Sequence, residues 1–205
     1  SGTLYIGHEE RNPAFFLDAL VDLIGQGVVR RPHDTSNSGI EVQVIFRATG
    51  HDEKINAMIH ARHLEEIVFL QPTLPYKESL MEMMTVEGLL LFQGAAFDRL
   101  IPAKLFEYLR SGRPVFALVG EGGDSRKIID DCGGSYCVPL EDRAAIRTGL
   151  ASFLEAVLAG RILPTPMERV QKYSRREGAR ALAELLDEFQ MSKKKKGSGG
   201  LPPGF

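Results

Sequence analysis

Three residues at the head of one helix carry the clearest chemistry in this sequence: Pro102, Lys104 and Glu107, within IPAKLFEYLRSGRP. A proline at the first helical turn leaves the amides of Ala103 and Lys104 without intrahelical acceptors. Those N–H groups and the helix dipole suit a phosphate. Lys104 adds a mobile positive charge at the same end. Glu107 follows three residues on, on nearly the same face, where a carboxylate can accept two hydrogen bonds from a ribose diol. The same spacing also makes a plain solvated ion pair worth roughly 0.2–0.5 kcal/mol. Spacing alone does not choose between the two.

The elements that must hold this helix alternate short β-type runs with amphipathic helices. Strands are expected at Leu4–Gly7, Glu41–Arg47, Ile67–Leu70, Glu87–Phe92, Pro114–Val119 and Ser135–Val138. Helices are expected over Pro13–Gln26 with Asn12 as cap, Asp52–Arg62, Tyr76–Met84, Pro102–Gly112, Asp124–Asp131 and Asp142–Leu158. Parallel strands need helical crossovers, so the pattern predicts an α/β fold: a doubly wound, Rossmann-like, parallel six-stranded sheet with helices on both faces. The strand order 3-2-1-4-5-6 is taken by analogy. In such sheets ligands bind beyond the carboxyl ends of the strands, which directs attention to the loops after the first four.

Residues 1–165 read as this domain and 166–190 as a C-terminal helix broken near Ser174, where Ser174–Glu177 has the form of a capping box. Leu182, Leu185, Leu186 and Phe189 form a stripe that packs on its own domain or crosses to a partner domain. Residues 191–205, with SKKKKGSGGLPPGF, read as a disordered tail or an expression remnant.

Composition bounds the function. The chain has 205 residues, 43% hydrophobic and 25% charged, with net charge −2. Without the lysine-bearing tail the body is acidic, which argues against nucleic acid as partner. Two cysteines, Cys132 and Cys137, make no disulfide framework and point to a cytoplasmic setting and core roles. No signal peptide or membrane span is visible, although a lysine run admits contact with an acidic membrane surface.

The segment IPAKLFEYLRSGRPVFAL resembles the donor-site segment of GT-B glycosyltransferases of the group 1, or family 4, type. LYIGHEERNPAFFLDAL is similar to the opening strand, turn and helix of their donor domain, VFLQPTLPYKESLMEMM to the segment under the base, and VEGLLLFQG to the strand before the donor loop. The likeness runs from Leu4 to about Phe189. It implies a nucleotide-diphosphate sugar as substrate, with no separate cofactor and no bound metal, and retaining transfer of the sugar to an acceptor hydroxyl. It places Glu107 on the ribose and Leu100, Ile101, Ala103 and Lys104 against the diphosphate. Gly7 is then the turn where backbone approaches the donor, with Arg11 as the neutralising cation, and the loop with Gln71 and Leu74 lies near the base. Where relatives carry a second glutamate for the donor sugar this chain has Arg99, and Asp98 is the adjacent substitute. In these enzymes an acceptor domain comes first, so the chain reads as the second, donor-binding half. Its catalytic residues are expected partly in the other domain, and the half alone is expected not to turn over. Two further readings remain: a sugar-nucleotide epimerase of the same fold, and a non-catalytic nucleotide-binding α/β module.

Other signals are read as structural. His60, His63 and Glu53 lack a convincing further ligand for a metal. Gly120–Gly123 is a turn rather than a phosphate loop, with Glu121 able to border the donor cleft. Ser125 and Ser135 lack the context of a hydrolase nucleophile. Met81, Met83 and Met84 are read as core filling.

Overall fold

A computed structural model describes residues 11–36, 38–162 and 165–197, with residues 193–197 by backbone only. The expected strand Leu4–Gly7 and the turn at Gly7 lie outside the described residues.

Helix α1 (Ala14–Gly25) starts where the Asn12 carboxamide oxygen accepts a hydrogen bond from the Ala14 amide at 3.0 Å, and it buries Phe16, Leu17, Ala19, Leu20 and Leu23 along one stripe. Next come β1 (Val29–Arg30), β2 (Ile40–Glu41), β3 (Val44–Arg47), α2 (Asp52–His60), β4 (Val68–Gln71) and α3 (Tyr76–Thr85). The second half of the domain holds β5 (Leu89–Gln93), α4 (Ala103–Ser111), β6 (Val115–Val119), α5 (Asp124–Cys132), β7 (Ser135–Val138) and α6 (Arg143–Leu158). Every pairing among the described strands is parallel: β1 with β2, β3 with β4, and β5–β6–β7 in register from Leu89↔Val115 and Val115↔Ser135.

The architecture is therefore the expected parallel α/β one, but a continuous six-stranded sheet is not what the described residues form. They form three parallel groups. The run Glu41–Arg47, expected as one strand, breaks at Val42–Gln43, because its start pairs with the short β1 while Val44–Arg47 pairs with β4. The β1 segment follows directly on the end of α1, and its Val28 carbonyl accepts from the Ile40 amide at 2.8 Å. The neighbours within β3–β4 and within β5–β6–β7 agree with the 3-2 and 4-5-6 parts of the expected order.

Phe16 of α1, Phe46 of β3 and Phe92 of β5 meet in a three-ring cluster, with centroids 5.5–6.3 Å apart, that binds β3 and β5 to one helix. Helix α1 packs on α6, where Arg143 donates to Asp22 at 2.9 Å, and α3 packs on α4. Strand β6 is buried along its whole length, as expected for a central parallel strand covered on both faces.

The three methionines of α3 do not all fill the core. Met83 is buried, whereas Met81 and Met84, three residues apart on the outer side of the helix, are exposed. Cys132 is buried, and burial pushes the half-buried Cys137 thiol up to about 12, so Cys137 carries no thiolate character near neutral pH.

A second compact unit begins at Met167 and holds α7 (Met167–Gln171) and α8 (Arg175–Gly197). The break between them falls at Ser174, whose hydroxyl accepts from the Glu177 amide at 3.2 Å. Helix α8 continues through the lysine run to Gly197, into the segment read as tail. Lysine is a good helix former, and positive charge suits the last turn of a helix. No helix among the described residues is long and apolar enough to cross a membrane.

Candidate nucleotide-binding site

Strand β5 ends on Gln93 and the chain loops through a single 3-10 turn, Ala95–Phe97, before α4 begins. Pro102 is extended (φ −69°, ψ 136°) and precedes the helix without any side-chain cap. Among the described residues no group accepts from the amides of Ala103 or Lys104, so both face outward as donors at the helix N-terminus. At its other end α4 stops on Gly112, which takes a left-handed φ of 72° and needs no Cβ to do so.

Lys104 Nζ lies 2.8 Å from Glu107 Oε2, with both side chains half-buried. The ion pair that the spacing admits is thus formed. An i,i+3 pair of this exposure contributes little, so exchanging it for contacts to a phosphate and a diol costs about as little. The next residue, Tyr108, is buried; burial, with the Glu107 carboxylate beside it, pushes its phenol up to about 12 and keeps it neutral.

Asp98 does not reach outward freely. Its carbonyl accepts from the Asp124 amide at 2.6 Å, and its carboxylate lies on the turn after β6, where a Cβ built on Gly123 would fall 2.8 Å from Asp98 Oδ1. Arg11 comes to the same loop, its guanidinium 5.2 Å over the Phe97 ring. Leu100 and Ile101 are exposed at the loop crest. Six of the sequence candidates therefore stand with Arg11 on a single loop–helix unit: Asp98, Leu100, Ile101, Ala103, Lys104 and Glu107. Gln71, the last residue of β4, and Leu74, on the loop that follows, belong to a different strand end. Gln71 is exposed and Leu74 half-buried.

Two polar groups that sequence reasoning passed over organise these loops. Gln93 is 1% exposed; its side-chain NH2 donates to the carbonyls of Phe97 (2.6 Å) and Leu100, and its Oε1 accepts from Ser125 Oγ at 2.7 Å. Arg47, at the end of β3, donates to both Glu82 oxygens and, at 2.7 Å, to the Pro72 carbonyl, tying the Gln71–Tyr76 loop to α3. The signal for Gln93 was present in the sequence: a lone amide closing the apolar run LLLF must be buried and must find partners. No comparable local signal marked Arg47, whose partners lie 25 and 35 residues away.

A cavity of about 590 Å³ lies elsewhere, between β3 and β5, lined by Phe16, Phe46, Leu90, Tyr108 and Phe153 among others. Of its charged lining groups, Arg47 and Glu82 are paired with each other, and Tyr108 of α4 forms part of its wall. The imidazole of His60 contacts Glu65 at 2.7 Å, while His63 sits past the end of α2 in a left-handed conformation (φ 52°), so the two do not share a helical face.

No family model and no curated protein matches the chain. Solved structures do. Sucrose-phosphate synthase from Thermosynechococcus elongatus matches over 93% of this chain and 46% of its own, with TM-score 0.61 and 15% identity. Anabaena HepE in complex with UDP-glucose matches over 91% and 48%, with TM-score 0.62 and 12% identity. A mutant of S. aureus TarM, in complex with fondaparinux, alpha-GlcNAc-glycerol and UDP, matches over 90% and 34%, with TM-score 0.55 and 16% identity. The chain spans about half the length of these proteins or less. At such identities the likeness is one of fold, and the fold is that of about one half of a GT-B glycosyltransferase.

Proposed function

We propose that this chain is the donor-binding, carboxyl-terminal half of a glycosyltransferase that moves a sugar from a nucleoside-diphosphate sugar to an acceptor hydroxyl. The observation that carries the reading is the head of α4: two outward amides, a lysine and a glutamate one turn further in, all beyond the carboxyl end of β5 and beside Arg11. The diphosphate lies on the amides of Ala103 and Lys104, with Lys104 and Arg11 offsetting its charge. Glu107, released from Lys104, accepts from the ribose hydroxyls. The sugar then projects toward the β5–α4 loop and Asp98, and the base toward the loop of Gln71 and Leu74. Structural neighbours solved with UDP or UDP-glucose make UDP the first donor nucleotide to test.

The transfer itself requires a second, amino-terminal acceptor domain. One wall of a cleft neither orients an acceptor nor excludes water, so the chain alone binds nucleotide without transferring sugar. The exposed stripe Leu182, Leu185, Leu186 and Phe189 of α8 is the surface offered to that domain. Retention of configuration and independence of metal belong to the same reading, as does work in the cytoplasm with the α8 lysines near a membrane surface.

The test is a thermal-shift and NMR titration of this chain with UDP, GDP, ADP and their sugars. One nucleoside diphosphate raises the melting temperature and shifts the amide resonances of Ala103 and Lys104. Absence of any such shift for all three removes the proposal.

A further inference from the structure

We propose that Gln93 is a positioning residue for the donor site, acting through the backbone of the β5–α4 loop; this rests on the donor-site reading above. Gln93 cannot touch a ligand, since its side chain is buried at the end of β5. What it holds is the loop that leads into α4. Within that loop the backbone bonds are few: the amides of Phe97, Asp98 and Leu100 donate to the carbonyls of Gly94, Ala95 and Phe97 at 3.0, 3.1 and 2.8 Å. The carbonyls of Phe97 and Leu100 both turn inward to the one Gln93 NH2 group, and Ser125 Oγ, also 1% exposed, holds the other end of the amide. A second tie, the Asp124 amide to the Asp98 carbonyl at 2.6 Å, fixes the loop to the first turn of α5.

The consequence is geometric. Leu100 is anchored two residues before Pro102, so the direction in which the Ala103 and Lys104 amides point is set by an amide buried beneath them. Replacing Gln93 with an apolar residue takes a donor from both carbonyls and the near acceptor from Ser125: the Phe97 carbonyl keeps only the Leu100 amide, and the Leu100 carbonyl and the Ser125 hydroxyl keep only each other at 3.4 Å, so the loop is held more loosely. The diphosphate would then have to order the loop as it binds, and that cost falls on its affinity. The nucleoside, gripped by Glu107 inside the helix and by the β4 loop, is spared. This split separates a positioning role from a general loss of packing.

The experiment uses the whole chain and its variants Gln93→Leu and Ser125→Ala. Hydrogen–deuterium exchange is read on the peptide covering residues 97–104, and UDP and uridine are titrated by NMR. Expected are faster exchange across that peptide in both variants and UDP binding weakened about tenfold in Gln93→Leu. Uridine binding should stay within about twofold of the parent. Ser125→Ala, which removes one donor and keeps the fold, should show the same split at about twofold to threefold. Equal weakening of UDP and uridine, or unchanged exchange with unchanged UDP affinity, overturns the role of Gln93 while leaving the donor site standing. Failure of the parent chain to bind UDP, with the exchange response intact, overturns the donor-site reading and with it the purpose of the staple.

Discussion

The Asp98 carboxylate rests on Gly120: any Cβ at position 120 would lie inside the contact distance of Asp98 Oδ1. The glycine therefore permits the β5–α4 loop and the turn after β6 to close on each other. Gly120→Ala should displace Asp98 and loosen the loop, weakening UDP binding about threefold to tenfold with a loss of stability of about 1 kcal/mol. Gly122→Ala, where a Cβ meets nothing, is the matched control and should change neither. Calorimetric titration and urea unfolding of the two variants check the pair.

Glu107 and Lys104 should separate by ligand. Glu107→Ala removes the ribose acceptor and should weaken uridine and UDP alike, by about tenfold or more for a charged hydrogen bond. Lys104→Ala should weaken UDP alone, and that loss should shrink as salt is raised. A Glu107→Ala chain that binds uridine as well as its parent does would remove the ribose contact from the site.

Arg47 ties the base-side loop to α3 through three hydrogen bonds, to Glu82 and Pro72. Arg47→Met keeps the stem and loses every donor. It should cost about 1–3 kcal/mol in urea unfolding, because Glu82 and the Pro72 carbonyl lose their partner together. A double-mutant cycle with Glu82→Gln should show coupling of at least about 0.5 kcal/mol.

Tyr108 gives a stability change with a defined direction in pH. Its folded-state value is raised from 10.0 to about 12, chiefly by burial. The folded chain then holds the phenolic proton more tightly than the unfolded chain. Below pH 10 this term is constant. Between about 10 and 12 only the unfolded state gives up the proton, so stability falls as pH rises, by roughly 2–3 kcal/mol at most. Denaturation of Tyr108→Phe and parent at pH 9 and 11 should show a shallower fall in the variant, although Cys137 titrates in the same window and remains in both.

The stripe on α8 is exposed in this chain, with Leu185 at 62%. Leu185→Ser should therefore change the melting temperature of the isolated chain by no more than about 2 °C, matching a surface substitution within about 0.5 kcal/mol. In a two-domain protein containing this chain, the same substitution should lower the stability of the domain pair. A large loss in the isolated chain would mean that the stripe packs within it.

Of the candidate-site residues, Ala103, Lys104 and Glu107 were singled out by local rules, and the others by the resemblance. Pro102, the head of α4 and the Lys104–Glu107 spacing follow from what a proline does to a helix start and from three residues making almost one turn. Asn12, expected as a cap, and Ser174, expected in a capping box, accept hydrogen bonds from the Ala14 and Glu177 amides at two helix starts. Arg11 was named as a candidate cation, and the structure brings it to the ring of Phe97. Strand extent was less legible. Glu41–Arg47 reads as one β run, yet its two ends pair with different partners, and strand partners are not local information.

Sequence alone thus determined the alternation of elements and the start and end of α4, because propensity, capping and periodicity act within a few residues of one another. The tertiary structure decided which loops meet. The contact of Asp98 with Gly120, the Gln93–Ser125 staple and the Arg47 clasp each join groups 22 to 35 residues apart. Such contacts exist only once parallel strands have laid their carboxyl ends side by side, and no pattern within a single element encodes them.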